Sequence, residues 1–518
     1  MKHTYVIGIE FGSTRIKAVL IDERANVIAS GSYEWQSTLV DGFWSYELSE
    51  VTVGLQASYA ALARNYHEKT GEILSEVSGI GISAMMHGYL AFDQNDRLLV
   101  PFRTWQNSNT ARAAAELSRA FSFNVPMRWS VSHFYEAVLK GEPHVKDVAH
   151  LNTLAGYVHF LLSGERVLGV CDASGMFPLE GGVYSPRMMK VMNEKLAAHG
   201  CNVDFERLIP SILKAGDQAG RLTEEGARLL DPTGTLKSGC ILCPPEGDAG
   251  TGMIATNSIA PRTANVSAGT SAFLMAVMEK ELSRPYEEID VATSPVGDPV
   301  AMIHVGNFTP EINTWVDLLG EAVTLMGGSV SRDELFERLY AISAQADEDV
   351  GGLVTYNFRV GEHLVGCESG APFMARGREG VLNLPNFMKA QIYSALGSFS
   401  IGMETLHKEN VCLDSVMGHG GFFKSGAISQ SAMSAAIGAP VSVMEHAGEG
   451  GAWGIALLCL MSVRGEKDAS AFLDRIFKDT KRVTVSANEE EKKRFSAFME
   501  RYRLMLPVER TCAELLNH

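Results

Sequence analysis

The sequence predicts an α/β fold of two domains that arose from one duplicated unit. Three observations lead there. At 518 residues the chain is longer than a single hydrophobic core organises. Short apolar runs rich in β-branched residues alternate with segments of helical period along its length. Each half opens on two such runs joined by a glycine–hydroxyl turn, Gly12-Ser13-Thr14 near the start and Gly269-Thr270-Ser271 in the middle.

The formal net charge of −16 argues against nucleic acid or an anionic membrane as the main partner. An anionic nucleotide is compatible with it, because one site needs only local amides, a cation and a metal. Met1-Lys2-His3-Thr4 leads directly into a strand, leaving no stretch for a signal peptide, and no uncharged apolar run of about 18 residues follows. The eight cysteines lie scattered in mostly apolar contexts and read as free thiols of a reducing cytoplasm. Cys240-Ile241-Leu242-Cys243 has the spacing of a metal or redox pair. No second pair accompanies it, and its neighbours read as a buried strand.

In the first half, Tyr5 to Asp22 reads as a buried hairpin in which Val6, Gly8 and Glu10 share one face. An acidic residue therefore closes an apolar strand. Gly12 lets the backbone approach a ligand, and the amides of Ser13 and Thr14 suit an anion-binding nest. Val27 to Trp35 adds a third antiparallel strand after an Arg24-Ala25-Asn26 turn. Leu48 to Tyr66 carries Val51, Leu55, Tyr59 and Leu62 at helical spacing, with Ser49 as its cap and Glu50 in the first turn. Val77 to Met86 is a strand ending at Met85-Met86-His87-Gly88, and Tyr89 to Phe92 resumes it. Pro101 to Asn107 then precedes a helix from Ser108 to Phe121. The following stretch is mostly helical, clearest at Asp147 to Leu162, with Asp172-Ala173-Ser174-Gly175-Met176 as a polar loop. Cys240 to Pro244 is a strand leading to Glu246-Gly247-Asp248, where a small-residue helix begins.

The second half repeats the opening with strands at Thr263 to Ser267 and Ala272 to Met278. A strand at Val300 to Gly306 and helices near 310–325, 331–345 and 386–409 follow. Val411 to Met417 enters the glycine-rich Gly418-His419-Gly420-Gly421-Phe422-Phe423-Lys424-Ser425. Pro440 to Met444 and Gly448 to Met461 form one more strand and helix. The last fifty residues read as two helices, with Glu489 to Arg494 as a solvated charge cluster.

Together these motifs resemble the FGGY carbohydrate kinases, within the actin-like ATPase superfamily, over nearly the whole chain from Ile7 to about Leu460. Gly8-Ile9-Glu10-Phe11-Gly12-Ser13-Thr14 resembles the family's first phosphate motif. Met86-His87-Gly88 matches the sugar-binding motif of xylulokinase-like members. Thr104-Trp105-Gln106-Asn107 is similar to its Trp-x-Asp segment, and Asp172-Ala173-Ser174-Gly175 is a further landmark. Gly247-Asp248 followed by Gly269-Thr270-Ser271 reproduces the spacing from catalytic aspartate to second phosphate loop. Gly420-Gly421, with Lys424, Ser425 and Gln430, resembles the adenosine motif.

The resemblance implies two actin-like (ribonuclease H-like) domains, each with a mixed β-sheet, and a nucleotide in the cleft between them. The sugar-binding domain is expected over 1–257 and the nucleotide-binding domain over 258–518. It implies ATP and Mg2+ as cofactors and a small sugar as substrate, in a cytoplasmic protein without nucleic-acid or membrane partners; a homodimer is left open. Asp248 is then the general base toward the sugar hydroxyl, and it pairs with Glu10 at the metal. Asp248 also reads as a helix N-cap. Gly12, Ser13 and Thr14 receive phosphate from one lobe, and Gly269, Thr270 and Ser271 from the other. Gly420, Gly421 and Lys424 serve the nucleoside side, where Phe422 and Phe423 read as core or as an adenine wall. Met86, His87, Gly88, Trp105, Gln106 and Asn107 join Asp248 around the sugar, while Lys17 reads as lying on a solvated face.

Several positions depart from the family pattern. Glu10 and Asn107 stand where aspartate is usual, Ala255 replaces a glycine, and Ser434 replaces an aspartate. Tyr356 to Glu362 follows the second-domain signature only loosely. The function implied is phosphorylation of a small ketose or polyol, a pentulose of the xylulose or ribulose type. The alternatives are a sugar- or nucleotide-binding pseudokinase of the same fold and a protein-directed ATPase. Met86-His87-Gly88 and Asp248 argue against the last.

Overall fold

The computed structural model describes residues 4–444 and 450–517. The chain forms two compact units. Unit 1 comprises Met1–Pro261, Asp290–Val300 and Ala447–Thr480; unit 2 comprises Arg262–Ile289, Ala301–His446 and Lys481–His518. The sequence reading divides the chain once, after residue 257. The compact units instead interleave, because the chain returns to unit 1 twice. The second return brings the helix Gly450–Arg464, whose residues from Ile455 to Ser462 are all buried. A helix that is apolar on every side carries no local signal of which sheet it covers. Gly448, where the sequence reading starts this helix, lies outside the described residues.

The main sheet of unit 1 is built of β1 (Val6–Phe11), β2 (Arg15–Ile21), β3 (Val27–Glu34), β4 (Gly79–Ala84), β5 (Ile241–Leu242) and β6 (Glu246–Gly247). Their order is β5-β4-β1-β2-β3, with β6 also on β4. β1 runs antiparallel to β2 and parallel to β4, so the sheet is mixed. Val6, Ile7, Ile9 and Phe11 are fully buried, which explains the unbroken apolar run before Glu10. Ile7, Ile9, Phe11, Leu55 and Leu62 belong to one core, and a second core beneath the helical stretch gathers Phe134, Phe177 and Phe205.

Unit 2 is organised on β7 (Thr263–Ala268), β8 (Ala272–Val277), β9 (Pro299–Val305), β10 (Ser415–His419), β11 (Val441–Met444) and β12 (Arg482–Val485). Their order is β9-β8-β7-β10-β11-β12. Again the strand before the turn pairs antiparallel with the one after it and parallel with a later one. The two hairpins are therefore equivalent in topology, as the repeated turn predicts.

Several local expectations are corrected. The first long helix spans Leu48–Thr70 with Glu47 at its N-cap, so Ser49 is already helical and caps nothing. Asp172-Ala173-Ser174 is not an open loop but part of a buried short helix, Val170–Ser174. The C-terminal residues form the helix Ala469–Phe477, then β12, then one helix Glu489–Leu516. Glu489 to Arg494 is not uniformly solvated. Glu491 and Arg494 are buried, and Glu491 accepts from Lys389 at 3.1 Å and Arg494 at 3.3 Å. Phe422 and Phe423 are both buried core residues, Phe422 packing edge-on to Phe308 with centroids 4.9 Å apart.

Candidate functional site

The turn after β1 points all its carbonyls inward. Trp35 donates from Nε1 to the Gly12 carbonyl (2.7 Å) and from its amide to that of Thr14 (3.2 Å), while the Tyr46 hydroxyl donates to that of Ser13 (2.7 Å). Ser13 and Thr14 are exposed, and among the described residues no acceptor takes their amides. The turn after β7 repeats this in unit 2. Thr309 Oγ1 donates to the Gly269 carbonyl (2.6 Å), the Phe308 amide to that of Thr270 (3.1 Å), and the Gly269 amide to that of Ser271 (2.9 Å). Thr270 is exposed, and its amide and that of Ser271 have no acceptor among the described residues. A turn arranged this way offers donors to an anion. A Cβ on Gly269 would come no nearer the protein than 3.8 Å, from Ser271 O, so the fold itself does not require glycine there.

Gly420 differs. Its φ is +103° and a Cβ would lie 2.4 Å from Ala268 O, so it is glycine for packing against β7. A Cβ on Gly421 meets nothing within 4 Å, and Lys424 is exposed. Gln430 ties strands together, donating to the carbonyls of Val441 and Val483.

In unit 1, Asp248 is the first residue of the helix Asp248–Ala255, and Gly247 holds the N-cap position. The N-cap reading of Asp248 is thus shifted by one residue. Its Oδ1 accepts from the amides of Met86 (3.2 Å) and Ala249 (2.9 Å). The side chain is reachable by solvent but lies deep among protein atoms, which pushes its pKa up to about 6 against these two bonds. Glu10 sits at the end of β1. Its pKa is raised to about 7 by burial and then by the charge of Asp248, while Lys17 and the Ala452 amide oppose the shift. Asp248 ionises first, so the repulsion between the two falls on Glu10. A Cβ on Gly451 would lie 2.3 Å from Glu10 Oε1, so the start of the Gly450–Arg464 helix is cut to admit this carboxylate. Lys17 pairs across β1 and β2 with Glu10 rather than lying on a solvated face.

His87 adopts φ +70° and its ring stacks on Trp129 at 6.3 Å. Its Nδ1 faces the Gly175 carbonyl at 3.3 Å. Only an N–H can bond a carbonyl, so Nε2 is left as an acceptor. Burial and the nearby Arg128 hold the pKa down at about 3, so the ring stays neutral. Arg128 is ion-paired with Asp290. Gly88 follows His87 with φ +92°, and Met86 is buried. Trp105 and Gln106 are exposed. Asn107 is not available in the same way. It is buried, its Oδ1 accepts from the Trp44 amide (2.8 Å), and its Nδ2 donates to the carbonyls of Trp44 (2.9 Å) and Thr104 (3.0 Å). It fastens the Thr38–Val40/Phe43–Ser45 hairpin instead of facing a ligand.

Sequence reasoning missed Arg128, Trp129, Asp290 and Gly451. The landmark at Gly175 was visible in the sequence, but not its bond to His87.

Glu10 and Asp248 are hard oxygen donors near enough for the charge of one to raise the pKa of the other, and among the described residues no group of three or more His, Cys, Asp or Glu gathers to hold a metal. This donor set fits Mg2+, which keeps several waters and is completed by substrate phosphates. It does not suit an ion needing a full protein cage.

The fold is a two-domain α/β fold with a mixed sheet in each unit. A crystal structure of xylulose kinase from Rhodospirillum rubrum superposes with a TM-score of 0.79 at 16% identity, covering 97% of this chain and 98% of that one. The chain belongs to the FGGY family of carbohydrate kinases: the model of the family's N-terminal domain matches residues 5–236 and that of its C-terminal domain residues 264–463. A xylulose kinase of Klebsiella pneumoniae is 26% identical over 286 residues, 54% of this chain and 56% of that protein. One from Haemophilus influenzae is 21% identical over 448 residues, 81% and 83% of the two chains. The chain thus spans little more than half the length of the Klebsiella relative it matches. Among the described residues no helix is long and apolar enough to cross a membrane.

Proposed function

We propose that the chain is an ATP- and Mg2+-dependent sugar kinase that phosphorylates a hydroxyl of a small ketose, a pentulose of the xylulose or ribulose type. The observation that carries this reading is the pair of turns, one per unit, whose carbonyls are bonded inward while the amides of Ser13, Thr14, Thr270 and Ser271 have no acceptor among the described residues. Phosphoryl transfer consists mainly of positioning and charge neutralisation, and outward amides supply both. The xylulose kinases among its relatives support the sugar class.

In this reading Asp248 takes the proton of the attacking hydroxyl. Its pKa of about 6 leaves it ionised at neutral pH yet basic enough to accept. His87 accepts a hydrogen bond from a second hydroxyl at Nε2. Glu10 and Asp248 would hold Mg2+, which when bound neutralises charge on the phosphates. Glycine or hydroxyl residues of both turns receive phosphate oxygens, and Trp105 and Gln106 border the sugar.

The test is ADP release measured over a panel of ketoses, polyols and aldonates. Turnover is expected with pentuloses above the rest. Nucleotide binding without sugar-dependent turnover would identify a pseudokinase, and hydrolysis stimulated only by a protein would identify a protein-directed ATPase. A second expectation concerns His87→Asn. Asparagine tolerates the left-handed backbone but withdraws the ring, so the KM for sugar should rise roughly tenfold while that for ATP stays put. Because His87 is neutral across the working range, native sugar KM should show no inflection near pH 6.5. An inflection there, or an unchanged sugar KM in the variant, removes His87 from the sugar site.

A further inference from the structure

Unit 2 contains a buried polar network that no phosphate contact explains by itself. Glu362 and Asn307 are 0% and 3% exposed. Glu362 Oε2 accepts from the Gly306 amide (3.1 Å), the Asn307 amide (3.3 Å) and Asn307 Nδ2 (3.3 Å). Asn307 Oδ1 accepts from the amides of Arg359 (2.8 Å) and Val360 (3.1 Å). Asn357 Nδ2 donates to the carbonyls of Asn307 (2.7 Å) and Phe308 (3.1 Å). The segment held so firmly is the one whose Phe308 amide and Thr309 hydroxyl grip the carbonyls of Thr270 and Gly269.

We propose that Glu362, acting through Asn307 and the 306–309 segment, is a positioning residue that keeps the Thr270 and Ser271 amides turned toward a nucleotide phosphate. The inference rests on the phosphate role proposed above for this turn. The physical reason lies in peptide-plane rotation. Each carbonyl pulled inward forces the amide of the next residue outward, because both belong to one rigid plane. If the brace slackens, a plane can rotate and present a carbonyl oxygen to the phosphate, exchanging an attractive dipole for a repulsive one. Among the described residues Glu362 Oε1 accepts no hydrogen bond, His363 Nδ1 standing 3.8 Å from it, so the network draws on Oε2 alone.

That asymmetry makes the proposal testable by calorimetric titration of the full chain with MgADP, with thermal melting as the control for folding. Glu362→Ala should weaken MgADP binding on the order of 10–100-fold, since small misplacements of binding groups have effects of that size. Glu362→Gln should bind within about twofold of the native chain: its amide oxygen replaces Oε2, which carries the bonds to the 306–307 segment. Thr309→Val, which removes only the hydroxyl on the Gly269 carbonyl, should weaken binding in the same direction, and it carries the test if Glu362→Ala fails to fold. Unchanged MgADP affinity in folded Glu362→Ala or in Thr309→Val overturns the proposal, as does a Glu362→Gln variant as weak as the alanine one. Gly269→Val separates this from the reading beneath it. A Cβ there comes no nearer the protein than 3.8 Å, so a native MgADP affinity in this variant would overturn the phosphate role itself. Weakened binding in Gly269→Val with none in Glu362→Ala would overturn only the positioning role.

Discussion

Replacing Asp248 with asparagine is expected to lower sugar-dependent ADP release by roughly 10²- to 10⁴-fold, the range a positioned general base contributes. Folding should survive. The asparagine oxygen can still accept from the Met86 and Ala249 amides, and the side chain is open to solvent. Native Asp248 has its pKa raised to about 6, so the folded state holds a proton that the unfolded chain would release near 4. Its contribution to stability is therefore present at low pH and lost as pH rises through about 6. The substitution removes that loss, and melting at pH 7 should occur at the native temperature or slightly above it. The native kcat/KM should begin to fall below about pH 7, where Glu10 gains a proton, and steepen below about 6, where the base is protonated. Turnover near the native rate in Asp248→Asn would end its assignment as base.

Glu10→Gln carries the second large effect. It keeps the size of the side chain within the space left by Gly451 but removes the charge facing Asp248. The magnesium concentration for half-maximal rate should rise on the order of 10–100-fold, as when a group orienting a bound metal is neutralised. The acid limb of kcat/KM should keep only its step near pH 6, because the step near 7 belongs to Glu10 and Asp248 does not depend on Glu10 for its shift. Unchanged magnesium dependence would make Glu10 a structural residue only. Glu10→Asp tests the departure from the family's usual aspartate: it shortens the reach by one methylene while keeping the charge.

Much of the architecture was legible because it is encoded locally. The two hairpins announce themselves through β-branched runs around a glycine and hydroxyls, and the antiparallel–parallel pairing of each follows from the repeat. Asp248 was legible from Gly247-Asp248 at a strand end. Asn107 reads from the sequence as a sugar-facing residue and is not one, because only folding brings Trp44 to it and consumes its amide. Glu491 and Arg494 look solvated in a run of charges. Their burial depends on Lys389, which comes from a different helix.

Neighbouring residues suffice to specify the α/β class, the duplicated turns, the carboxylate at the strand–helix junction and the family. These rest on periodicity, turn chemistry and motif spacing, all of which act over short stretches of chain. Packing was needed to assign each helix to its sheet, to leave each side chain with a particular oxygen or nitrogen to offer, and to set carboxylates against one another. His87 becomes an acceptor only through the carbonyl of Gly175, and Glu10 fits only because Gly451 has no side chain. Tautomer, charge and free valence are properties of neighbours, and those neighbours are chosen by packing across the whole fold.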